Sequence, residues 1–230
     1  MKRLLKVYME KPELVALMVL IVLVAYFTAA THGLFLNPQN VRGIMSLYPE
    51  LAIMALGFGL LMISGEFDLS IGSMFGLAPM ILCTLAGFGI PFWPAFVLAL
   101  LCCCVVGLLN GVITLRFGIP SFITTLGMLF IARSMTVVIS GGFPPLLPDD
   151  LPTWLFTDYI WQGSILRMSF LWFAVIAALG AALLSLTNFG NWIRATGGFN
   201  EAAASMGIPV KRVKIVCFIL CSLLAGFAGL

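Results

Sequence analysis

Seven long apolar stretches set what this chain can fold into. They run approximately over 14–34, 44–64, 69–87, 92–114, 120–140, 168–187 and 214–230. A helix needs about 20 mainly apolar residues to cross the hydrocarbon core of a bilayer. Inside that core the backbone must satisfy its own hydrogen bonds, which leaves helices or closed barrels. The chain is 62% hydrophobic and 9% charged, against roughly 25% charged residues in soluble domains. The expected fold is an all-α polytopic membrane protein of about seven transmembrane helices, organised over 1–230 as a single membrane domain.

Lysine and arginine placement orients the spans. Lys2, Arg3, Lys6 and Lys11 precede the first span and put its start in the cytoplasm. Alternation then places Arg116, Arg194, Lys211, Arg212 and Lys214 inside as well. Arg42 and Arg167 fall outside, and Arg133 falls within the fifth span. The loop 141–167 is expected outside and the loop 188–213 inside. Thr28-Ala29-Ala30 weakly resembles a cleavage site, but the apolar run is long for a signal peptide, and Glu10 and Glu13 flank it. The first span is therefore read as a retained helix. In the outer loop, Pro144, Pro145, Pro148 and Pro152 stand near Trp154 and Trp161, with Asp149, Asp150 and Asp158. A short interfacial helix near 151–162 is expected there.

Several classes of chemistry find no support. The net charge of +3 does not indicate nucleic acid. Cys83, Cys102, Cys103, Cys104, Cys217 and Cys221 lie in apolar runs and read as small core residues. His32 is the single histidine, at the outer end of the first span, and no serine motif accompanies it. No phosphate-binding loop, metal-ligand cluster or cofactor fingerprint is evident. The chain is not expected to hydrolyse ATP itself or to hold a cofactor.

Polar residues within the apolar frame are the candidates for function. The junction Ser64-Gly65-Glu66-Phe67-Asp68-Leu69-Ser70-Ile71-Gly72-Ser73 leaves almost no room for a loop. It puts two carboxylates at the membrane boundary, where a charge must face water, protein or a cation. Asp68 caps the third helix on one reading; on the other, Glu66, Asp68 and Ser70 belong to a transport path or gate. Arg133 stays charged and needs a partner. Asp68, Glu66, Glu50 and free backbone carbonyls are the candidates, in a tether between helices or a contact to solute, with snorkelling to the interface as the third reading. Glu50 follows Pro49 and is expected in the first turn of the second span, near the positive end of its dipole. Gly72/Gly76 and Gly107/Gly111 have the spacing that allows close helix approach. Asn110 lies between the latter two, as an inter-helix hydrogen-bonding residue or a lining residue of the path.

Gly197 to Lys214 is polar and helix-forming between two apolar runs. Glu201-Ala202-Ala203, with Gly207 four residues beyond, reads as a short docking helix on a cytoplasmic loop. Gly207 is suited to end it. Lys211, Arg212 and Lys214 are read as anchors of the return at the inner surface.

Three blocks in order carry a resemblance. They are Gly65 to Ser73; Gly118-Ile119-Pro120-Ser121-Phe122-Ile123-Thr124-Thr125-Leu126-Gly127 with Ile131-Ala132-Arg133 and Ser140-Gly141-Gly142; and Gly198 to Lys214 with Leu220-Cys221-Ser222-Leu223-Leu224-Ala225-Gly226. The chain resembles the permease subunits of bacterial ABC importers for ribose, xylose and other simple sugars. The resemblance implies a multi-pass subunit of the bacterial inner membrane, paired with an identical or related permease. It further implies two cytoplasmic ATP-binding partners and an extracytoplasmic solute-binding protein. Glu201, Ala202, Ala203 and Gly207 match the family's ATPase-coupling loop. About ten spans are implied, so the last few are expected to be missing here. Glu66-Phe67 departs from the commoner Gly-Ile and adds a carboxylate and bulk beside the expected path. The rival reading is a secondary transporter driven by an ion gradient, with Asp68, Glu66 and Arg133 as its relay.

Overall fold

The computed structural model describes residues 12–143, 151–161 and 164–230. Apolar sequence becomes helix almost throughout. The long elements are α1 (Pro12–Ala30), α2 (Pro38–Ile63), α3 (Ile71–Gly87), α4 (Phe92–Phe117) and α5 (Ser121–Ser140). A four-residue α6 (Thr153–Phe156) precedes α7 (Met168–Leu186), α8 (Asn188–Gly198), α9 (Asn200–Ser205) and α10 (Val210–Gly229). A 3₁₀ turn, Leu34–Leu36, follows α1. The helices α2, α4, α5, α7 and α10 are long and apolar enough to cross a membrane. Two shorter apolar helices, Leu14–Ala30 and Ile71–Gly87, accompany them. At 17 residues α3 is about 26 Å long, close to the ~30 Å hydrocarbon thickness. The seven expected segments thus all return as helices, and the protein is an all-α polytopic membrane protein.

The chain divides into two compact units, Met1–Leu47 and Tyr48–Leu230. In the first, α1 keeps most of its apolar side chains exposed, from Val15 to Phe27. That surface suits lipid rather than water. The second unit holds the core. Its central helix is α10, with 44% of its most apolar window buried, against 11% for α5 and 6% for α7. Lys214, Cys217, Phe218, Cys221, Ser222 and Ala225 form its buried stripe, at the three-and-four spacing of one helix face. Gly107 and Gly111 of α4 bring the two backbones together: a Cβ on Gly107 would lie 2.7 Å from the Phe218 carbonyl oxygen. The expectation for this pair holds. Gly72 and Gly76 differ, because nothing lies within 4 Å of a Cβ at either position.

Pro49 lies inside α2, which begins at Pro38. Glu50 is therefore mid-helix, remote from the N-terminal dipole, contrary to expectation. Pro38 already supplies the helix-starting ring, and an internal proline costs one backbone bond without forcing an end.

Opposite ends of the second unit differ in character. At one end α6 inserts Phe156 beside Phe92, Phe96, Trp172 and Phe227. Trp172 Nε1 donates to the Leu155 carbonyl at 2.9 Å, holding α6 in place. A short helix does form within 151–162, but it is only one turn long, Thr153–Phe156. Pro144, Pro145, Pro148, Asp149 and Asp150 lie outside the described residues, as do Lys2, Arg3, Lys6, Glu10 and Lys11. The other end holds the α2–α3 junction and α8–α9.

Candidate functional site

The α2–α3 junction is built by local chain chemistry. Gly65 takes φ +86°, which ends α2. The Glu66 N–H donates to Leu61 O at 3.3 Å and the Gly65 N–H to Met62 O at 3.0 Å. This is the paired bond pattern of a Schellman helix end. Glu66, Phe67 and Asp68 then run without helix before the turn at Leu69 and Ser70.

The first turn of α5 stitches that segment from the side. Phe67 N–H donates to Ser121 Oγ at 3.2 Å, and Leu69 N–H to Thr125 Oγ1 at 3.1 Å. Ser73 Oγ donates to the Leu129 carbonyl at 3.0 Å. Backbone donors that no helix can satisfy thus find partners inside the protein, as burial requires.

Asp68 is fully buried at the centre of a polar cluster. Its Oδ1 accepts from Ser70 N–H at 2.8 Å and Ser70 Oγ at 2.6 Å. Its Oδ2 accepts from Asn110 Nδ2 at 3.4 Å and Ser222 Oγ at 3.5 Å. Asn110 Nδ2 also donates to Ser70 Oγ at 3.0 Å. Burial pushes the Asp68 carboxyl above its ordinary range, and the bonds from Ser70, Asn110 and Ser222 pull it back. The bond to Ser70 N–H closes a turn just ahead of α3, whose N-cap is Ser70 with no side-chain cap bond, so Asp68 does not cap the helix as the capping reading expects. Instead the same carboxylate ties the entry of α3 to α4 and α10. Asn110 Oδ1 has no partner among the described residues.

Glu66 faces the other way. Lys214 Nζ donates to Glu66 Oε1 at 2.6 Å, with the two side chains only 6% and 13% exposed. Sequence reading put Lys214 at the inner surface. Its place on the buried stripe of α10, one turn before Phe218, was the signal against that. Ser121, Thr125 and Ser222 were missed as members of the site. Ser121 and Thr125 are spaced four apart on α5, and Ser222 extends the stripe of α10, so helical spacing points to all three.

Arg133 joins none of these groups. It is exposed and has no hydrogen bond or ion pair among the described residues. None of Asp68, Glu66, Glu50 or a freed carbonyl is its partner. The reason is distance along α5: Arg133 stands eight residues beyond Thr125, about 12 Å up the helix. There it lines an open groove of about 320 Å³ with Gly72, Ser73, Gly76, Leu129 and Thr136. A second cavity of about 220 Å³ near α6 is lined by Glu50, Ser169, Trp172 and Phe227 among others.

The loop from α7 to α10 lies at the same end as the α2–α3 junction. Thr187 Oγ1 accepts from Gly190 N–H at 3.1 Å and caps α8. A Cβ at Gly197 would overlap the Ile63 carbonyl, so α8 rests directly on the end of α2. The short helix α9 buries Ala203 and exposes Glu201, Ala202 and Met206. Gly207 ends α9 at φ +82°. Its N–H donates to Ala204 O at 3.0 Å, and the Ile208 N–H to Ala203 O at 3.1 Å. This is the same helix end as at Gly65.

The six cysteines are free. His32 is exposed at the end of α1, with φ 50°. Among the described residues no group of three histidine, cysteine or acidic side chains is placed to hold a metal.

The family described as branched-chain amino acid transport system / permease component matches residues 40–230. The xylose/arabinose import permease protein XylH of Sulfolobus acidocaldarius is 31% identical over 216 residues, covering 91% of this chain and 59% of its own. The L-arabinose ABC transporter permease protein AraH of Azospirillum brasilense is 32% identical over 197 residues, covering 85% of this chain and 57% of its own. The ribose import permease protein RbsC of Escherichia coli K12 is 32% identical over 224 residues, covering 96% of this chain and 68% of its own. The chain thus spans 59% and 57% of the length of the first two relatives. No solved structure matches it significantly.

Proposed function

Since the chain belongs to the family of branched-chain amino acid transport system permease components, we propose that it is a membrane-spanning subunit of an ATP-driven importer of a simple sugar. Ribose and xylose or arabinose are the substrates that the similar proteins' names carry. The subunit itself is non-catalytic. Partner ATP-binding subunits hydrolyse ATP at the cytoplasmic face of the inner membrane. A second permease completes the path, and an extracytoplasmic binding protein delivers the solute at the side of loop 141–167.

One observation carries this reading: α9 is held to the bundle by one face and offers the other to a partner. Ala203 is buried, while Glu201, Ala202 and Met206 are exposed. The coupling loop 188–213 contains it, with Arg194, Lys211 and Lys214 on either side. Exposed Arg116, Arg194, Lys211 and Arg212 belong to the loop ends expected in the cytoplasm, and positive residues favour that side. The N-terminus is then cytoplasmic as well. Closure of the ATPases would push α9, and the bundle would alternate between outward and inward access. Glu66, Asp68, Ser70, Asn110 and Arg133 are the residues we assign to the path or its gate.

Reconstitution in vesicles with the cognate ATPase and binding protein tests the reading. ATP-dependent uptake of D-ribose, D-xylose or L-arabinose is the expected result. Uptake driven by a proton gradient, with no ATPase present, would overturn it. Replacing Glu201 and Gly207 together should abolish the stimulation of ATP hydrolysis by the loaded binding protein while membrane insertion persists.

A further inference from the structure

We infer that the Glu66–Lys214 ion pair, extended to Asn200, is the strut by which movement of α9 reaches the buried Asp68 cluster. Its role in import rests on the reading of α9 as the ATPase-docking element.

Consider the connection atom by atom. Asn200 is the first residue of α9. In the amide orientation assigned because it satisfies both atoms, its nitrogen donates to Thr196 O at 2.6 Å and its oxygen accepts from Lys214 Nζ at 3.3 Å. The same Nζ donates to Glu66 Oε1 at 2.6 Å. Glu66 is two residues from Asp68, and the intervening Phe67 N–H is held by Ser121. One ammonium therefore bridges the docking helix to the junction that carries the cluster carboxylate. Its two partners precede it by 148 and 14 residues.

The surroundings make this bridge stiff. Lys214 sits on the buried face of α10 between Val213 and Cys217, both of which are buried. Leu61, Ile193, Val213, Cys217 and Phe218 form one apolar cluster around it, drawn from α2, α8 and α10. Gly197 against Ile63 leaves no slack between α8 and the end of α2. The junction itself has no regular helix from Ser64 to Asp68, so it can shift without breaking a helix. A stiff lever thus meets a non-helical segment, tied to α5 through Ser121 and Thr125, whose end carries Asp68. Glu66 is also the position at which the chain departs from the sequence pattern it resembles, and Lys214 gives that extra carboxylate its partner.

Two readouts on the membrane protein test the strut. The first is amide hydrogen exchange across 200–207 in the purified chain, which reports local opening without any ATPase. Glu66→Gln and Lys214→Met should each speed exchange there. The charge swap Glu66→Lys with Lys214→Glu should restore it. The second is sugar taken up per ATP hydrolysed in vesicles with the partner subunits, using D-ribose, D-xylose and L-arabinose as probes. That ratio should fall about tenfold in each single variant and recover in the swap.

Unchanged exchange at 200–207 in both single variants overturns the strut, whatever transport does. Faster exchange with an unchanged uptake ratio also overturns it, because the pair is then only a fastener. A wild-type assembly without ATP-driven uptake of any probe overturns the importer reading instead; faster exchange reversed by the swap still supports the physical link from α9 to the junction.

Discussion

Two pairs of glycines with the same spacing meet opposite fates. Gly107 and Gly111 press α4 onto α10 so closely that no side chain fits at Gly107. Gly72 and Gly76 face open space beside Arg133. Small residues four apart permit close approach but do not summon a partner helix. The central helix α10 supplies that partner on one side of the bundle. On the other side the surface of α3 and α5 is open among the described residues and carries Arg133, which has no partner among them. Charge follows the same division. Glu66 and Asp68 are enclosed and satisfied on the side of α10, whereas Arg133 stands exposed on the side of the groove. An arginine left facing lipid is costly, so we propose that the open face meets a second subunit or an aqueous path.

The comparison can be broken from the packed side first. Lys214→Met leaves Glu66 buried without its partner. Breaking a buried pair in this way costs about 3–5 kcal/mol, read as a lower melting temperature of the detergent-solubilised protein. Glu66→Gln in the same chain should recover most of the loss, because no uncompensated charge remains. A single variant as stable as the parent would show that the pair is solvated. Gly107→Ala comes next, at about 1–3 kcal/mol. Its Cβ would meet Phe218 O and the Cα of Ile219 at 2.7 and 2.9 Å, and backbone cannot swing aside as a side chain can.

Asp68 gives a prediction in pH. Its folded carboxyl holds its proton more tightly than an unfolded one, because burial is the largest influence on it. The stability it contributes is therefore full below the ordinary carboxylate pKa and is lost as pH rises through the raised value. A melting curve against pH should show this fall, and Asp68→Asn should remove it. A difference between the two proteins that grows as pH drops below the ordinary value would reverse the sign and refute the assignment.

The smallest effects belong to the open side. Gly76→Ala should be neutral or slightly stabilising, within about 0.5–1 kcal/mol, since alanine holds a helix better than glycine. Arg133→Gln should change stability by less than about 0.5 kcal/mol in the isolated subunit. A clear destabilisation by Gly76→Ala in the proposed assembly, absent from the subunit alone, would mark the groove as covered by another chain.

Much of the fold was legible because the bilayer imposes a strong rule on sequence. Length and apolarity alone located α1 to α5, α7 and α10. The helix end at Gly207 was also legible, since the positive φ that a Schellman end requires favours glycine. The site was legible as separate residues rather than as a set of contacts. Glu66, Asp68 and Arg133 stand out as charges in an apolar frame, and all three drew attention for that reason. Their partners did not, because a partner can come from any span. The pairing of Glu66 with Lys214 joins residues 148 positions apart. Pro49 misled for a local reason: proline is at home both in a first turn and, at some cost, inside a helix. The choice depends on where the apolar run really begins.

The sequence by itself determined that this protein is a bundle of spanning helices, where those helices lie and where α9 stops. Hydrocarbon tolerates no unpaired backbone, so composition and length suffice for that. Only the tertiary structure decided which charge meets which. Helix contacts among α3, α4, α5 and α10 rotate Asp68 into the cluster, turn Lys214 inward to Glu66 and leave Arg133 outside. Those outcomes follow from interhelical packing, in which a rotation of one residue moves a side chain by about 100° and changes its neighbours entirely.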